Sequence, residues 1–185
     1  MEQRKQDTRI KKNIENIDYE QTLNFFNKRA DKYKEENPYS VTMYQDDNPT
    51  LVEKRNRAET EKLLPLLRLD DESKILDIAC GIGRWSDAIT TRIAEYCGMD
   101  FSENLIKLAK SRPHEENRSF YVGSAERLKE VLTANQKSRF NRILLMGILI
   151  YINDRDLMSI MNQLVEVSEE HSVICIREPL GIDDR

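Results

Sequence analysis

The sequence predicts an α/β fold: a doubly wound sheet of five parallel strands, carried behind a helical N-terminal extension. Two observations point to it. From residue 74 onward, short apolar runs rich in β-branched residues alternate with amphipathic helical patterns, the arrangement of βα units wound on one parallel sheet. The first of these runs (Ile75, Leu76, Ile78) passes through Gly81 and Gly83 into a helical pattern beginning at Arg84. A strand that enters a helix through closely spaced glycines leaves backbone N–H groups exposed where a ligand can approach. In such sheets ligands bind beyond the carboxyl ends of the strands.

The elements follow in order. Residues 1 to about 18 are polar and charged, with few positions to bury. Between Tyr19 and Glu36 the residues Leu23, Phe26, Ala30 and Tyr33 recur at helical spacing, and Asn37-Pro38 is expected to end that helix. The loop Tyr39–Asp47 is rich in groups that stack and hydrogen-bond. Asn48-Pro49 supplies a cap and a first-turn proline for a second helix, with Leu51, Ala58, Leu63 and Leu66 expected on its buried side and Pro65 at its end. Residues 1–70 thus form an extension, and 71–185 the sheet domain.

After the glycine turn, Glu95–Phe101 reads as the second strand and Ser102–Arg112 as a helix burying Leu105, Ile106, Leu108 and Ala109. Ser119–Ser124 is the third strand, followed by a helix near Glu126–Leu132. The fourth strand lies within Asn141–Ile152, with Gly147 near its carboxyl end. Asn153 is expected to cap a helix running to about Glu169, and His171–Pro179 is the fifth strand.

Composition narrows the function. Charged residues make up 34% of the 185-residue chain and hydrophobic ones 39%, as expected of one layered core under a charged surface. The N-terminus lacks the apolar core of a signal peptide and no apolar run reaches membrane-spanning length, so a cytoplasmic protein without a membrane partner is expected. A net charge of −4 argues against a nucleic-acid backbone as partner. Cys80, Cys97 and Cys175 have no C-x-x-C spacing and read as buried reduced thiols. No histidine–carboxylate cluster suggests a metal.

The glycine turn carries the chemistry. A dinucleotide site wants a third glycine where this chain has Ser86. Asp77 instead stands four residues before Gly81, near the strand's carboxyl end, where a carboxylate suits a cation better than a diphosphate. Asp100 ends the second strand 23 residues after Asp77, placed to accept hydrogen bonds from ribose hydroxyls, or to cap the following helix.

The stretch D-I-A-C-G-I-G (Asp77–Gly83), followed by G-M-D-F-S (Gly98–Ser102), resembles the first two motifs of the class I S-adenosylmethionine-dependent methyltransferases. The departure is Ala79, where that family most often has a glycine, and alanine is expected to keep negative φ there. The resemblance covers about Ile75–Pro179 and implies a Rossmann-like fold with S-adenosylmethionine as cofactor. It implies cofactor contacts from Asp77, Ala79, Cys80, Gly81, Gly83, Arg84 and Trp85, and from Asp100, Phe101 and Ser102. Further contacts are implied from Ser124, Ala125 and Glu126 at the adenine, although Ser124 reads equally as a helix cap, and from Met146 and Gly147. The family's extension packs over the cleft, which makes Tyr39, Tyr44 and Arg55 the lid and substrate candidates. Its sheet ends in an antiparallel hairpin that this chain does not supply. A fragment is therefore expected, or a second copy or another partner over the strand-five edge.

Methyl transfer needs alignment and, for a hydroxyl acceptor, proton removal. His114 and His171 fall at the amino end of the sheet, away from the cleft. Tyr151 and Glu178 are the catalytic candidates at the correct end. Arg177 and Glu178 read equally as a structural ion pair. The combination C-G-I-G-R-W, G-M-D-F-S and I-R-E-P also looks like small-molecule methyltransferases of sugar and surface-polysaccharide pathways. The expected reaction is methylation of a small polar acceptor, a sugar hydroxyl or amine. The alternatives are an RNA or protein methyltransferase, disfavoured by charge, and a non-catalytic S-adenosylmethionine-binding scaffold.

Overall fold

The computed structural model describes residues 16–43 and 48–179. Five strands form one fully parallel sheet: β1 (Lys74–Ile78), β2 (Glu95–Asp100), β3 (Arg118–Val122), β4 (Phe140–Met146) and β5 (Ser168–Arg177), in the order β3-β2-β1-β4-β5. The chain winds outward from β1 through β2 to β3, then crosses back to lay β4 on the other side of β1. The direction of winding thus reverses between β1 and β4, and their carboxyl ends open a crevice there. This is the Rossmann-like architecture.

Apolar residues on both faces of β1 explain its central place. Leu76 and Ile78 pack on one side with Leu128 of α5 (Leu128–Ala134) and Leu164 of α6 (Asp154–Val167). Ile75 packs on the other with Trp85 of α3 (Arg84–Ala88) and Ile106 of α4 (Glu103–Ser111). The expected cap holds for α2 (Pro49–Leu63), where the Asn48 side chain accepts from Leu51 N at 3.1 Å; at α4 the cap is Ser102, whose hydroxyl accepts from Leu105 N at 3.2 Å.

Four features differ from expectation. The first helix, α1 (Tyr19–Ala30), stops six residues before Glu36. Buried Arg29 turns back to donate to the carbonyls of Val41 (2.8 Å) and Met43 (3.0 Å), fixing a 3-10 turn at Pro38–Val41. On α2 the buried residues are Val52 and Thr60, with the expected Leu63 partly buried against the core, and at its end Pro65 tightens the chain into a 3-10 turn that sends Leu67 inward and Leu66 outward. Asn153 stands at the expected N-cap position of α6, but its side chain makes no capping bond. Its side chain brackets Ile17 instead, accepting from the N–H at 2.6 Å and donating to the carbonyl at 3.0 Å. The fifth strand begins at Ser168, three residues before His171, through an irregularity in its register with β4.

The extension and the sheet share a core in which Ala30 and Val41 meet Ile82 and Leu105. On the opposite flank no described strand pairs with the outer edge of β5, where Ile174 and Ile176 stay 43% and 49% exposed.

Candidate functional site

A cavity of about 440 Å³ lies over the carboxyl ends of the strands, roofed by α1, α2 and the turn between them. Its floor is the turn after β1. Three residues there take the left-handed conformation: Ala79 (φ 62°), Gly81 (φ 57°) and Gly83 (φ 81°). The expectation of negative φ at Ala79 is therefore corrected. The turn must reverse sharply beneath the cavity, and Ala79 bears strain that a glycine would not. Glycine is demanded at Gly81 and Gly83 by space as well. A Cβ would stand 2.5 Å from Thr42 Cγ2 at the first and 2.8 Å from Phe120 Cε1 at the second.

Asp100 ties this turn to β2. One carboxylate oxygen accepts from Gly81 N at 3.0 Å and the other from Ser102 N at 2.9 Å. Burial pushes the Asp100 carboxyl up to about 6, against the two backbone donors, which hold it down. Each oxygen retains a further lone pair, and Asp100 lines the cavity. Its side chain does not cap α4, since Ser102 takes that place.

Most of the anticipated residues meet at this cavity. Ala79, Cys80, Gly81, Arg84 and Trp85 line it from the turn, and Asp100 and Phe101 from the end of β2. Ser124, Ala125 and Glu126 line it after β3, and Met146, Gly147 and Tyr151 after β4; Arg55 reaches it from α2. Ser124 precedes a 3-10 turn and makes no side-chain cap bond. The Cys80 thiol is pushed well above its ordinary range by burial, so it presents a neutral S–H and no nucleophile.

Five residues are placed elsewhere, and Tyr44 lies outside the described residues. Asp77 points beneath the floor, where one oxygen accepts the Tyr96 hydroxyl at 2.5 Å and the other, Oδ1, is buried with no partner among the described residues. Alternation along β1 puts Ile78 into the cavity and Asp77 on the opposite face with Tyr96. Burial raises the Asp77 carboxyl to about 7, opposed by the Tyr96 hydrogen bond and Arg84 and assisted by the Asp100 charge. Gly83 packs on Phe120. The Ser102 hydroxyl donates to Asn27 of α1 at 2.6 Å. Tyr39 is locked outside the cavity, its hydroxyl donating to Asp87 at 2.9 Å and its ring 5.4 Å from the Arg112 guanidinium. Glu178 stands behind the wall. It accepts from Leu149 N at 2.9 Å and so holds the turn Leu149–Tyr151 in place. It makes no ion pair with Arg177 among the described residues; Arg177 Nε meets Glu59 at 2.7 Å.

The sequence reading missed several lining residues, chiefly Phe26, Thr42, Met43 and Glu59. The Phe26 ring meets both Tyr151 (5.3 Å) and Phe101 (5.9 Å) edge-on, closing one wall. Glu59 bridges Arg177 and Arg84 Nη2 (2.6 Å), while Arg84 Nη1 donates to Asn56 at 2.8 Å and the guanidinium lies 4.9 Å from the Trp85 ring centroid. The Trp85 indole N–H is buried without a partner among the described residues. His114, on the Phe120 ring, and exposed His171 both lie away from the cavity, and no cluster suited to a metal occurs among the described residues.

Comparison with known proteins gives this geometry its context. The family model described as a methyltransferase domain matches residues 75–171. Phosphoethanolamine N-methyltransferase 1 of Caenorhabditis elegans is 24% identical over 149 residues, covering 80% of this chain and 30% of that protein. Ubiquinone biosynthesis O-methyltransferase of Leptothrix cholodnii is 30% identical over 97 residues, covering 52% of this chain and 41% of the relative. The chain thus spans well under half the length of these curated relatives. Among solved structures, Haemonchus contortus phosphoethanolamine N-methyltransferase 1, in complex with phosphoethanolamine and S-adenosylhomocysteine, superposes with a TM-score of 0.65 at 21% identity, covering 87% of this chain and 33% of that one. That likeness establishes the fold.

Proposed function

The chain belongs to the methyltransferase-domain family, and from that premise we propose that it binds S-adenosylmethionine in the cavity and directs its methyl group to a small polar acceptor. The observation that carries the reading is Asp100. A buried carboxylate lines the cavity at the end of β2 and is fixed to the glycine turn through Gly81 N, with lone pairs left for two ribose hydroxyls. The rest of the cavity fits the same ligand. The unpartnered Trp85 indole N–H offers a donor to its carboxylate, and unpartnered Asp77 Oδ1 beneath the floor adds negative potential under its cationic end. Ser124 and Glu126 stand on the adenine side.

When bound, S-adenosylmethionine supplies a methyl group activated by the sulfonium. The chain's own residues provide alignment and exclude water. Phe26, Phe101 and Tyr151 form an apolar wall over the crevice. Gly147, in the left-handed conformation at φ 81°, places no side chain at the end of β4 and would leave room there for an acceptor. Tyr151 is the acceptor's hydrogen-bond partner, and Glu178 is a positioning residue that holds the turn carrying Tyr151. Relatives named as a phosphoethanolamine N-methyltransferase and a ubiquinone biosynthesis O-methyltransferase support a small-molecule acceptor. A sugar remains within this class.

A thermal-shift and calorimetric comparison of S-adenosylhomocysteine, S-adenosylmethionine and NAD tests the reading. Stabilisation by the first two and not by NAD is expected. Stabilisation by NAD alone overturns it.

A further inference from the structure

Charge is divided along the cavity. On the β2–β3 side stand the acids Asp100 and Glu126; on the β1–β4–β5 side stand Arg84 after β1, Arg177 at the end of β5, and Arg55 on α2. Among the described residues one carboxylate forms ion pairs with two of those three cations. Glu59, itself 13% exposed, is shared between Arg84 and Arg177. Arg84 is 11% exposed and its fork is consumed by Asn56 and Glu59. Arg177 is different. Glu59 engages only its Nε, the side chain is 50% exposed, and Nη1 lies 4.0 Å from where a Cβ on Gly147 would stand. Its terminal nitrogens have no hydrogen-bond partner among the described residues, and Arg55 has neither an ion pair nor a hydrogen bond there. Two guanidinium groups with unmet donors therefore border a cavity otherwise walled at this end by Met146, Ile148 and Ile150. A guanidinium with free N–H donors beside an apolar wall attracts an anion, and its planar fork matches a carboxylate or phosphate.

Resting on the methyltransferase reading, we propose that the acceptor carries an anionic group, a carboxylate or a phosphate, seated on Arg177 with Arg55 beside it. The apolar part of the acceptor then lies along the end of β4, and the atom to be methylated points toward the glycine turn. Glu59 fixes the direction of the Arg177 fork while leaving its outer edge available.

The test measures binding of three probes that share a ring, benzoate, phenyl phosphate and benzyl alcohol, to the protein saturated with S-adenosylhomocysteine and to the protein alone. The two anions are expected to bind at least about tenfold more tightly than the alcohol, a charge-assisted hydrogen bond's worth of preference. The order of benzoate and phenyl phosphate tells carboxylate from phosphate. Arg177→Gln should abolish the preference with S-adenosylhomocysteine affinity unchanged, and Arg177→Lys should restore part of it by keeping charge without the fork. Equal binding of the alcohol, or an anion preference that survives Arg177→Gln, overturns the proposal. Failure of S-adenosylhomocysteine to bind sinks the cofactor reading instead, and the probes measured on the protein alone still decide the arginine site.

Discussion

Asp77→Asn isolates what the buried carboxylate beneath the turn does to stability. The wild-type group sits at about 7 in the folded chain against an ordinary 3.8, chiefly through burial. An acid whose folded value is raised binds more protons folded than unfolded, so it costs stability as pH climbs. Below about pH 4 both states are protonated and the cost vanishes; between about 4 and 7 it accumulates; above 7 it is complete. A rise from 3.8 to about 7 corresponds to on the order of 4 kcal/mol. Asparagine cannot ionise, and its carbonyl still accepts the Tyr96 hydroxyl, replacing an orphaned acceptor with an orphaned amide. Urea denaturation of both proteins at pH 5, 6.5 and 8 is the assay. Asp100 titrates in the same direction in both proteins, so the comparison cancels it to first order. The variant should gain on the wild type steadily as pH rises, with most of the gap open by pH 8. Parallel pH profiles would refute the argument, because the carboxylate would then be solvated or partnered in the folded state.

Three further substitutions probe the supports of the site. Gly83→Ala sets a Cβ 2.8 Å from Phe120 Cε1 at φ 81°, and a loss of about 2–3 kcal/mol is expected by thermal denaturation. Ala79→Gly relieves φ 62° at the cost of chain entropy, so stability should hold or rise by up to about 1 kcal/mol; a clear loss contradicts the left-handed turn. Asn153→Ala removes both hydrogen bonds to Ile17 and should cost about 1–2 kcal/mol. Hydrogen exchange should quicken in residues 16–30 while the sheet amides keep their protection.

The strands were legible because their signal is local. Ile75, Leu76 and Ile78 are apolar on both faces, and only a central parallel strand buries both. The glycine turn and Asp100 were legible because the spacing itself expresses the geometry. What the sequence concealed depends on partners far along the chain. Asp77 faces away from the cavity to meet Tyr96, and the Asn153 side chain turns from its helix to Ile17. Tyr39 is captured by Asp87, and the roof of the cavity comes from Phe26, Thr42 and Glu59. In each case a side chain able to serve locally is taken by a distant group, and helical or strand periodicity carries no information about which.

Asp100 shows why folding and ligand recognition should be coupled in this crevice. The same two oxygens that face the cavity hold Gly81 and Ser102, so the carboxylate fixes the floor before any ligand arrives. Burial works against its ionised form, and the two backbone donors only partly offset that cost. Ribose hydroxyls arriving on the remaining lone pairs would add donors to the ionised form and lower its pKa. Ligand binding would therefore stabilise the turn most where the unliganded carboxylate is most strained by burial, above about pH 6. Residues of the extension adjoin that floor. The Ser102 hydroxyl donates to Asn27 of α1, and Thr42 rests directly on Gly81. The helical extension therefore packs on the floor through the Ser102 hydroxyl and the Thr42 methyl group, beside the ties of Asn56 and Glu59 to Arg84.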